Sequence, residues 1–265
     1  MAVASGMVLI LVGAMTLLAP LLPLADPEIQ NLELGATPPS LEHPFGTDLL
    51  GRDLMARVLY GGRVSILVGL VATLVSFLVG VSYGAVAGYF GGRIDNFMMR
   101  FVDVLYSLPY MFLVILLMVY FSRSLVMLFV ALGLVQWLTM ARIVRGQVLS
   151  IKEQEYVEAA RSIGTGSTQI IFRHVVPNAL GPIIVYATLT VPAVMLQEAF
   201  LSFLGLGVQP PQASWGTLVN DGASVIAFFP WLSLFPGVAL AATLFCLNFL
   251  GDGLRDALDP HLRHE

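Results

Sequence analysis

The chain alternates long apolar segments with short polar ones, and this alternation predicts its architecture. Six apolar segments occur, at about residues 8–24, 64–90, 97–121, 125–144, 180–204 and 226–250. Each is close to the roughly 20 residues that a helix needs to cross the hydrocarbon core of a bilayer. Helices satisfy their backbone hydrogen bonds internally, and the segments are too long for barrel strands. The pattern therefore predicts an all-α membrane protein with six transmembrane helices.

Composition places the chain in the same class. Apolar residues make up 57% of it and charged residues 11%, against about 45–50% and about 25% in soluble domains. The first apolar segment has neither a basic flank before it nor a clear small-residue cleavage site after it. We therefore interpret it as a retained span and not as a signal peptide.

The basic residues predict how the spans are oriented. If both termini lie on one side, that side carries nine Lys and Arg residues, at Arg93, Arg100, Arg142, Arg145, Lys152, Arg161, Arg173, Arg255 and Arg263. The other side carries the remaining four, at Arg52, Arg57, Arg63 and Arg123. Cytoplasmic loops hold an excess of Lys and Arg, so we expect both termini and the polar segment 150–177 in the cytoplasm.

Two polar segments fall on the opposite side. The first, residues 25–63, contains apolar residues spaced as in a short amphipathic helix along the membrane interface. These residues are Leu49, Leu50, Leu54, Val58 and Leu59. The second, residues 205–224, is too rich in Gly and Pro for a long helix, and we place its Trp215 at interfacial depth. Both are candidates for contact with an external protein, although residues 25–39 are equally well interpreted as a simple connection.

The sequence lacks the usual patterns of catalytic and metal sites. Lys152 is the only lysine, and no Gly-Lys-Ser or Gly-Lys-Thr occurs, so the chain has no phosphate-binding P-loop of its own. Gly-x-Ser-x-Gly and His-Glu-x-x-His motifs are also missing. The histidines have no convincing metal-ligand spacing to Cys or carboxylates; they are His43, His174, His261 and His264. We expect a non-catalytic chain that binds no metal or cofactor itself.

Two acidic residues fall within the apolar segments, where ionisable groups are costly and therefore candidates for function. Asp103 follows Arg100 by three residues, which predicts a local ion pair. Glu198 lies nearer the outer end of the fifth span, where we expect a buried hydrogen bond or a contact with a partner subunit. A proton pump needs a longer relay, so neither residue alone indicates a proton-coupled carrier.

Glycine and proline positions within the spans predict close packing and bending. Gly80, Gly84 and Gly88 recur every four residues, and small residues at that spacing let two helices approach closely. Proline removes a backbone donor and kinks a helix. The prolines within spans are Pro109, Pro182, Pro192 and Pro236.

The polar segment SIKEQEYVEAARSIGTGSTQIIFRHVVP, residues 150–177, predicts a short helix outside the membrane. Ser150 and Glu153 have the spacing of a capping box, and Gly164 provides a stop. Between them, Tyr156, Ala160 and Ile163 recur at helical spacing and predict a narrow apolar stripe. We expect such a helix to rest on the surface of another protein.

The same segment resembles the EAA loop of binding-protein-dependent ABC importer permeases. Glu158, Ala159, Ala160, Gly164 and Pro177 match the pattern Glu-Ala-Ala, three residues, Gly, nine residues, Ile-x-Leu-Pro. The last part reads His-x-Val-Pro here, a form common in the peptide-importer branch. HPFGTDLLGRDLMARVLYGGR, SFLGLGVQPPQASWGTL and LNFLGDGLRDALDP resemble the second permease subunit of dipeptide, oligopeptide and nickel importers.

The resemblance implies a type I ABC importer permease fold in the bacterial inner membrane. Residues 1–63 would be the first helix and outer loop, residues 64–252 the transmembrane domain, and residues 253–265 a cytoplasmic tail. The loop helix would dock on a cytoplasmic ABC ATPase, which holds ATP and Mg²⁺. The docking residues implied are Tyr156, Glu158, Ala159, Ala160, Arg161, Gly164 and Pro177.

The other partners implied are a homologous permease subunit, an extracytoplasmic solute-binding protein and membrane lipid, with no nucleic acid. Contact with the binding protein would involve Gln209, Pro210 and Trp215. Di- or oligopeptides are preferred over nickel as the solute because the spans show no metal ligands. The alternative is an autonomous secondary transporter or channel, which should show inverted repeats with broken helices or a ring of polar residues.

Overall fold

The computed structural model of the protein describes residues 1–121 and 124–258. Four residues used above lie outside those ranges: Arg123, His261, Arg263 and His264. The helices are α1 (Ala2–Leu18), α2 (Leu54–Phe90), α3 (Gly92–Ser107), α4 (Tyr110–Tyr120), α5 (Leu125–Ile151), α6 (Glu155–Ser162), α7 (Ser167–Ile170), α8 (Val176–Phe203), α9 (Trp215–Ala223) and α10 (Trp231–Leu258). The part of the chain that the structure describes is thus all-α.

Five membrane-length helical segments lie in the described ranges, and the bent pair α3 and α4 makes a sixth candidate span. This agrees with the predicted number. The fifth span is longer than predicted, since helix runs continuously over Ser167–Phe203, and α10 continues past residue 250 to Leu258.

The third predicted span is not one helix. Its two halves, α3 and α4, meet at an angle of 81°. Pro109 has no backbone N–H, and Leu108 before it has the extended conformation that a following proline favours, with φ −77° and ψ 140°. The helix therefore ends at Ser107 and restarts at Tyr110.

Helix α2 is a single helix of 37 residues that begins at Leu54. The Asp53 carboxylate caps it by accepting a 2.8 Å hydrogen bond from the Ala56 N–H. The predicted interfacial helix is therefore wrong: Leu54 and Val58 lie in the first turns of α2 and are buried in a cluster with Trp215. The apolar spacing of these residues therefore indicates a helix face that packs against other helices of the chain and not against the membrane interface. The expected domain boundary at residues 63 and 64 falls inside this helix.

Helices α2 and α5 form the closest seam of the fold, and the glycine prediction is confirmed there. A Cβ atom on Gly80 would lie 2.5 Å from the Met140 Cβ, and one on Gly84 would collide with the Ala141 carbonyl oxygen. One on Gly88 would lie 2.9 Å from the Val148 Cβ. The two backbones approach so closely because these side chains are missing.

Charged residues of α5 clamp α3 against it. The Arg145 guanidinium donates two hydrogen bonds of 2.6 Å to the Asp95 carboxylate. One turn earlier, Arg142 donates to Asp103 at 2.7 Å and its guanidinium lies 4.1 Å from the Tyr106 ring centroid. The predicted pairing of Asp103 with Arg100 is wrong, because the carboxylate faces α5.

Candidate functional site

The polar segment between α5 and α8 holds the separate helix α6, as predicted, but its start differs. Helix α5 continues to Ile151, so Ser150 lies inside α5 and cannot cap α6. The residue before α6 is Gln154, whose side chain makes no capping hydrogen bond. The capping-box prediction is therefore wrong, because packing against α2 carries α5 past Ser150.

The predicted stop at Gly164 is confirmed. Its φ is +83°, a left-handed conformation that glycine adopts without steric cost. The Gly164 N–H donates to the Arg161 carbonyl and the Thr165 N–H donates to the Ala160 carbonyl, both at 3.1 Å. A Cβ atom on Gly164 would meet nothing within 4 Å, so the requirement for glycine comes from the backbone and not from lack of space.

One narrow face of α6 attaches it to the membrane helices. Val157 is fully buried and Ala160 is 7% exposed, and both pack in a cluster with residues of α2, α5, α7 and α8. Of the predicted apolar stripe, only Ala160 packs inside the chain, whereas Tyr156 is 43% and Ile163 is 83% exposed. Tyr156 lies about 40° from Ala160 around the helix and therefore borders the buried face, while Ile163 lies beyond the last helical residue, Ser162.

The opposite surface of α6 is open. Of the seven predicted docking residues, Ala160 has its side chain packed inward. The other six are exposed: Tyr156, Glu158, Ala159, Arg161, Gly164 and Pro177. The Arg161 guanidinium lies 5.6 Å from the centroid of the Tyr89 ring near the end of α2. The surface therefore combines a carboxylate, an aromatic ring and a small side chain with no covering element among the described residues.

Contacts of the segments before and after α6 hold it next to the spans. Before it, the Lys152 ammonium donates a 3.1 Å hydrogen bond to the Gly88 carbonyl of α2. After it, a π-helical stretch at Ile171–Val175 leads directly into α8, with Ile171 and Val175 buried. The segments on the two sides of α6 are therefore held against α2 and α8.

On the other side of the fold, Glu198 connects α8 to α9. Its side chain is fully buried, and its Oε1 atom accepts hydrogen bonds of 2.7 Å from the hydroxyls of Ser202 and Ser214. Ser214 also caps α9, together with Thr217, in a reciprocal capping box. Of the two roles expected for Glu198, the structure contains the buried hydrogen bond.

Trp215 holds the segment 205–224 in place from inside. Its ring is 1% exposed, its indole N–H donates to the Val58 carbonyl at 2.8 Å, and its backbone N–H donates to the Ser65 hydroxyl at 3.0 Å. Trp215 is therefore not exposed to a binding protein, contrary to its predicted role in that contact. Gln209 is half-buried and Pro210 is exposed, so these two residues remain candidates.

The comparison with known families decides the class of this arrangement. The family described as "Binding-protein-dependent transport system inner membrane component" matches residues 80–264. The chain belongs to this family. It is a multi-pass inner-membrane permease component of an ABC import system, and an autonomous carrier or channel is not favoured.

Relatives of the permease extend the match over nearly the whole chain. The oligopeptide transport system permease protein OppC of Escherichia coli (strain K12) is 51% identical over 261 residues, which cover 98% of this chain and 86% of the relative. The dipeptide transport system permease protein DppC of Bacillus subtilis (strain 168) is 50% identical over 264 residues, covering 99% and 82%. An inward-facing structure of the MetNI methionine ABC transporter shares the fold, with a TM-score of 0.64 at 19% identity, covering 78% of this chain and 98% of the other.

The sequence analysis of this permease missed one further feature. A cavity of about 800 Å³ opens where α3 and α4 meet, and Gln136 and Gln197 reach it from α5 and α8. The Gln136 amide donates a 3.2 Å hydrogen bond to the Gln197 carbonyl oxygen. Each is a glutamine inside an apolar segment, and that signal could have singled out both.

Proposed function

We propose that this permease forms half of the translocation path of an ATP-driven importer of di- and oligopeptides. The assignment of peptides rests on relatives from oligopeptide and dipeptide transport systems, which are 51% and 50% identical over almost the full chain. The chain itself would bind neither ATP nor Mg²⁺. Both would belong to the partner ATPases.

The observation that carries the coupling role is the attachment of α6. In this proposal its open surface docks on a cytoplasmic ATPase, with Glu158 making a charged contact and Ala159 permitting close approach. Its inner face, Val157 and Ala160, is fixed to the ends of α2, α5 and α8. Coupling between two sites requires a physical element that both can bias, and α6 meets this requirement.

The remaining assignments complete the assembly. Both termini would lie in the cytoplasm with α6, and a homologous permease would supply the other half of the path. A solute-binding protein would deliver peptide on the outer side, near Gln209 and Pro210. In this scheme Trp215 and Glu198 shape the outer segment from within and make no contact with the binding protein themselves. Residues 64–252 would form the transmembrane domain of the family, with residues 253–258 continuing α10 towards the tail.

The proposal is tested by purifying the tagged permease from its native membrane in mild detergent and identifying co-purifying proteins by mass spectrometry. We expect a second multi-span permease and P-loop ATPases. The complex is then placed in proteoliposomes with its binding protein, and uptake of a labelled tripeptide is measured with and without ATP. ATP-dependent uptake of the tripeptide is the expected result.

The same uptake assay distinguishes peptides from other transported solutes. Uptake of Ni²⁺ without uptake of any di- or tripeptide would overturn the peptide assignment and leave the permease role intact. A chain that purifies alone, and moves solute without ATP, would overturn the proposed coupling.

A further inference from the structure

The bend between α3 and α4 leaves irregular backbone inside a membrane span. The Leu108 N–H bonds only to the Leu105 carbonyl, at 3.3 Å, and no side chain caps the first turn of α4. Non-helical backbone persists at membrane depth only where it is buried in protein or lines a water-filled cavity. Leu108 and Tyr110 are 49% and 47% exposed, and both line the cavity of about 800 Å³. The cavity is therefore expected to hold water.

The wall of the cavity is mostly apolar and has no formal charge on any lining residue that the structure describes. The Ser107 hydroxyl already has a partner, since it donates to the Val104 carbonyl at 2.7 Å. The Tyr106 ring is covered by the Arg142 guanidinium. A solute in the cavity would find hydrogen-bonding groups on only a few side chains of a wall that is otherwise apolar.

The amides of Gln136 and Gln197 retain such groups. A primary amide offers two donors and one oxygen with two lone pairs. The bond between the two side chains uses one donor of Gln136 and one acceptor site of Gln197. The structure shows no other hydrogen bond to either amide among the described residues, so donors and acceptors remain free beside the cavity.

We propose that Gln136 and Gln197 form an intramembrane subsite for the peptide backbone of the transported solute. A peptide group carries one N–H and one C=O, which complement the free acceptor and donor of this amide pair. An uncharged site of this kind forms hydrogen bonds with the backbone of the solute, which all peptides share. It does not select peptides by the charge of their side chains. Its volume lies within the 300–1,000 Å³ typical of small-molecule sites. The inference rests on the proposed peptide function.

A lipid chain is the rival occupant of a mostly apolar cavity. Hydrocarbon would leave the remaining donors and acceptors of the two amides without partners, and buried polar groups without hydrogen bonds are costly. A peptide or water satisfies them. The two occupants predict different access for a water-soluble reagent.

The first experiment measures that access in the complete transporter. Ser107→Cys is introduced into a Cys246→Ala background, which removes the only cysteine of this chain, and labelling of this subunit by a small water-soluble thiol reagent is measured. The matched control is Leu74→Cys, which is 56% exposed near the middle of α2 and lies outside the cavity lining. We expect fast labelling at position 107 that slows at least about threefold while tripeptide is being transported. Labelling as slow as that of the control would show a lipid-filled cavity and overturn the proposal.

The second experiment changes the amides themselves. The double variant Gln136→Leu with Gln197→Leu is reconstituted, and tripeptide transported per ATP hydrolysed is measured. We expect this ratio to fall about tenfold, as the loss of hydrogen bonds to a transported peptide predicts. The half-saturating concentration of binding protein should stay unchanged. Gln147→Leu, the same change three turns away on α5 and outside the cavity lining, should keep the wild-type ratio.

The outcomes separate this inference from the proposed function. If the wild-type complex moves no peptide, the proposed function fails and the subsite fails with it. If the wild type moves peptide but the double variant keeps the same ratio, the subsite alone is wrong. If the double variant does not assemble, protection of Ser107→Cys by peptide decides: protection supports the subsite, and its absence overturns it.

Discussion

Helices α2 and α5 meet along glycines that leave no room for a methyl group, whereas α6 contacts the rest of the chain chiefly through Val157 and Ala160. The first region has no free space, because side-chain and backbone atoms of α5 lie within 3.0 Å of a Cβ atom added to Gly80, Gly84 or Gly88. The second has one anchored face and one open face. Substitutions in the seam should therefore act on the fold, and substitutions on the open face of α6 should act on partners.

The largest effect is expected in the seam. Gly84→Ala places a methyl group against the Ala141 carbonyl oxygen and the Val144 side chain, and overpacking of this kind costs about 1–3 kcal/mol. Gly146→Ala on α5 is the matched control, since nothing lies within 4 Å of the added Cβ and alanine is the better helix former. Thermal unfolding in detergent should show a melting temperature below that of the wild type for Gly84→Ala. Gly146→Ala should show no such decrease. Equal melting temperatures would contradict the close seam.

A smaller, local effect is expected at the anchor of α6. Val157→Ala removes buried methyl groups, which costs on the order of 1–2 kcal/mol. Because α6 is attached by few side chains, the loss should loosen α6 and leave the spans intact. Hydrogen exchange of the backbone amides of Glu155–Ser162 should accelerate about tenfold, with no change in α2. Tyr156→Ala, at an exposed position, should leave the exchange unchanged, and an equal acceleration there would argue against the anchoring role of Val157.

A substitution at Gly164 tests whether α6 must end in a left-handed backbone conformation. Gly164→Val should cost about 1–2 kcal/mol, because a side chain at a left-handed residue meets the following carbonyl oxygen. Valine has space there but cannot adopt φ +83° without strain. Gly166→Val is the control, since Gly166 precedes α7 with φ −64°. Attachment of the ATPases should weaken for the first variant only, as measured by co-purification.

The smallest effect on stability is expected on the open face. Glu158→Arg should change the unfolding free energy of the isolated permease by less than about 1 kcal/mol, since an exposed charge near a helix end contributes no more than this. A fall in the melting temperature comparable to that of Gly84→Ala would show that Glu158 is part of the packed structure. The separation between fold and partner surface would then be lost.

Much of the fold followed from short-range patterns. The length of the apolar segments gave the spans, the spacing of Gly80, Gly84 and Gly88 gave the seam, and Gly164 gave the end of α6. These features depend on single positions or on one helix face. They are therefore readable without knowing what packs against them.

The errors came from packing between distant segments. Trp215 is buried because Val58 and Ser65, 150 or more residues earlier, supply its hydrogen-bond partners. Asp103 pairs with Arg142 on another helix and not with the adjacent turn. The spacing on α6 predicts a stripe of Tyr156, Ala160 and Ile163, whereas the membrane helices cover Val157 and Ala160. No local spacing carries this information.

The central claim is that α6 couples this permease to its ATPases through its open face. The most direct measurement is co-purification of the ATPases with Glu158→Arg, together with ATP-driven tripeptide uptake in proteoliposomes. Glu153→Arg makes the same change at an exposed position between α5 and α6. We predict that Glu158→Arg inserts normally but loses the ATPases and uptake, while Glu153→Arg retains both. Full uptake with Glu158→Arg would contradict the claim.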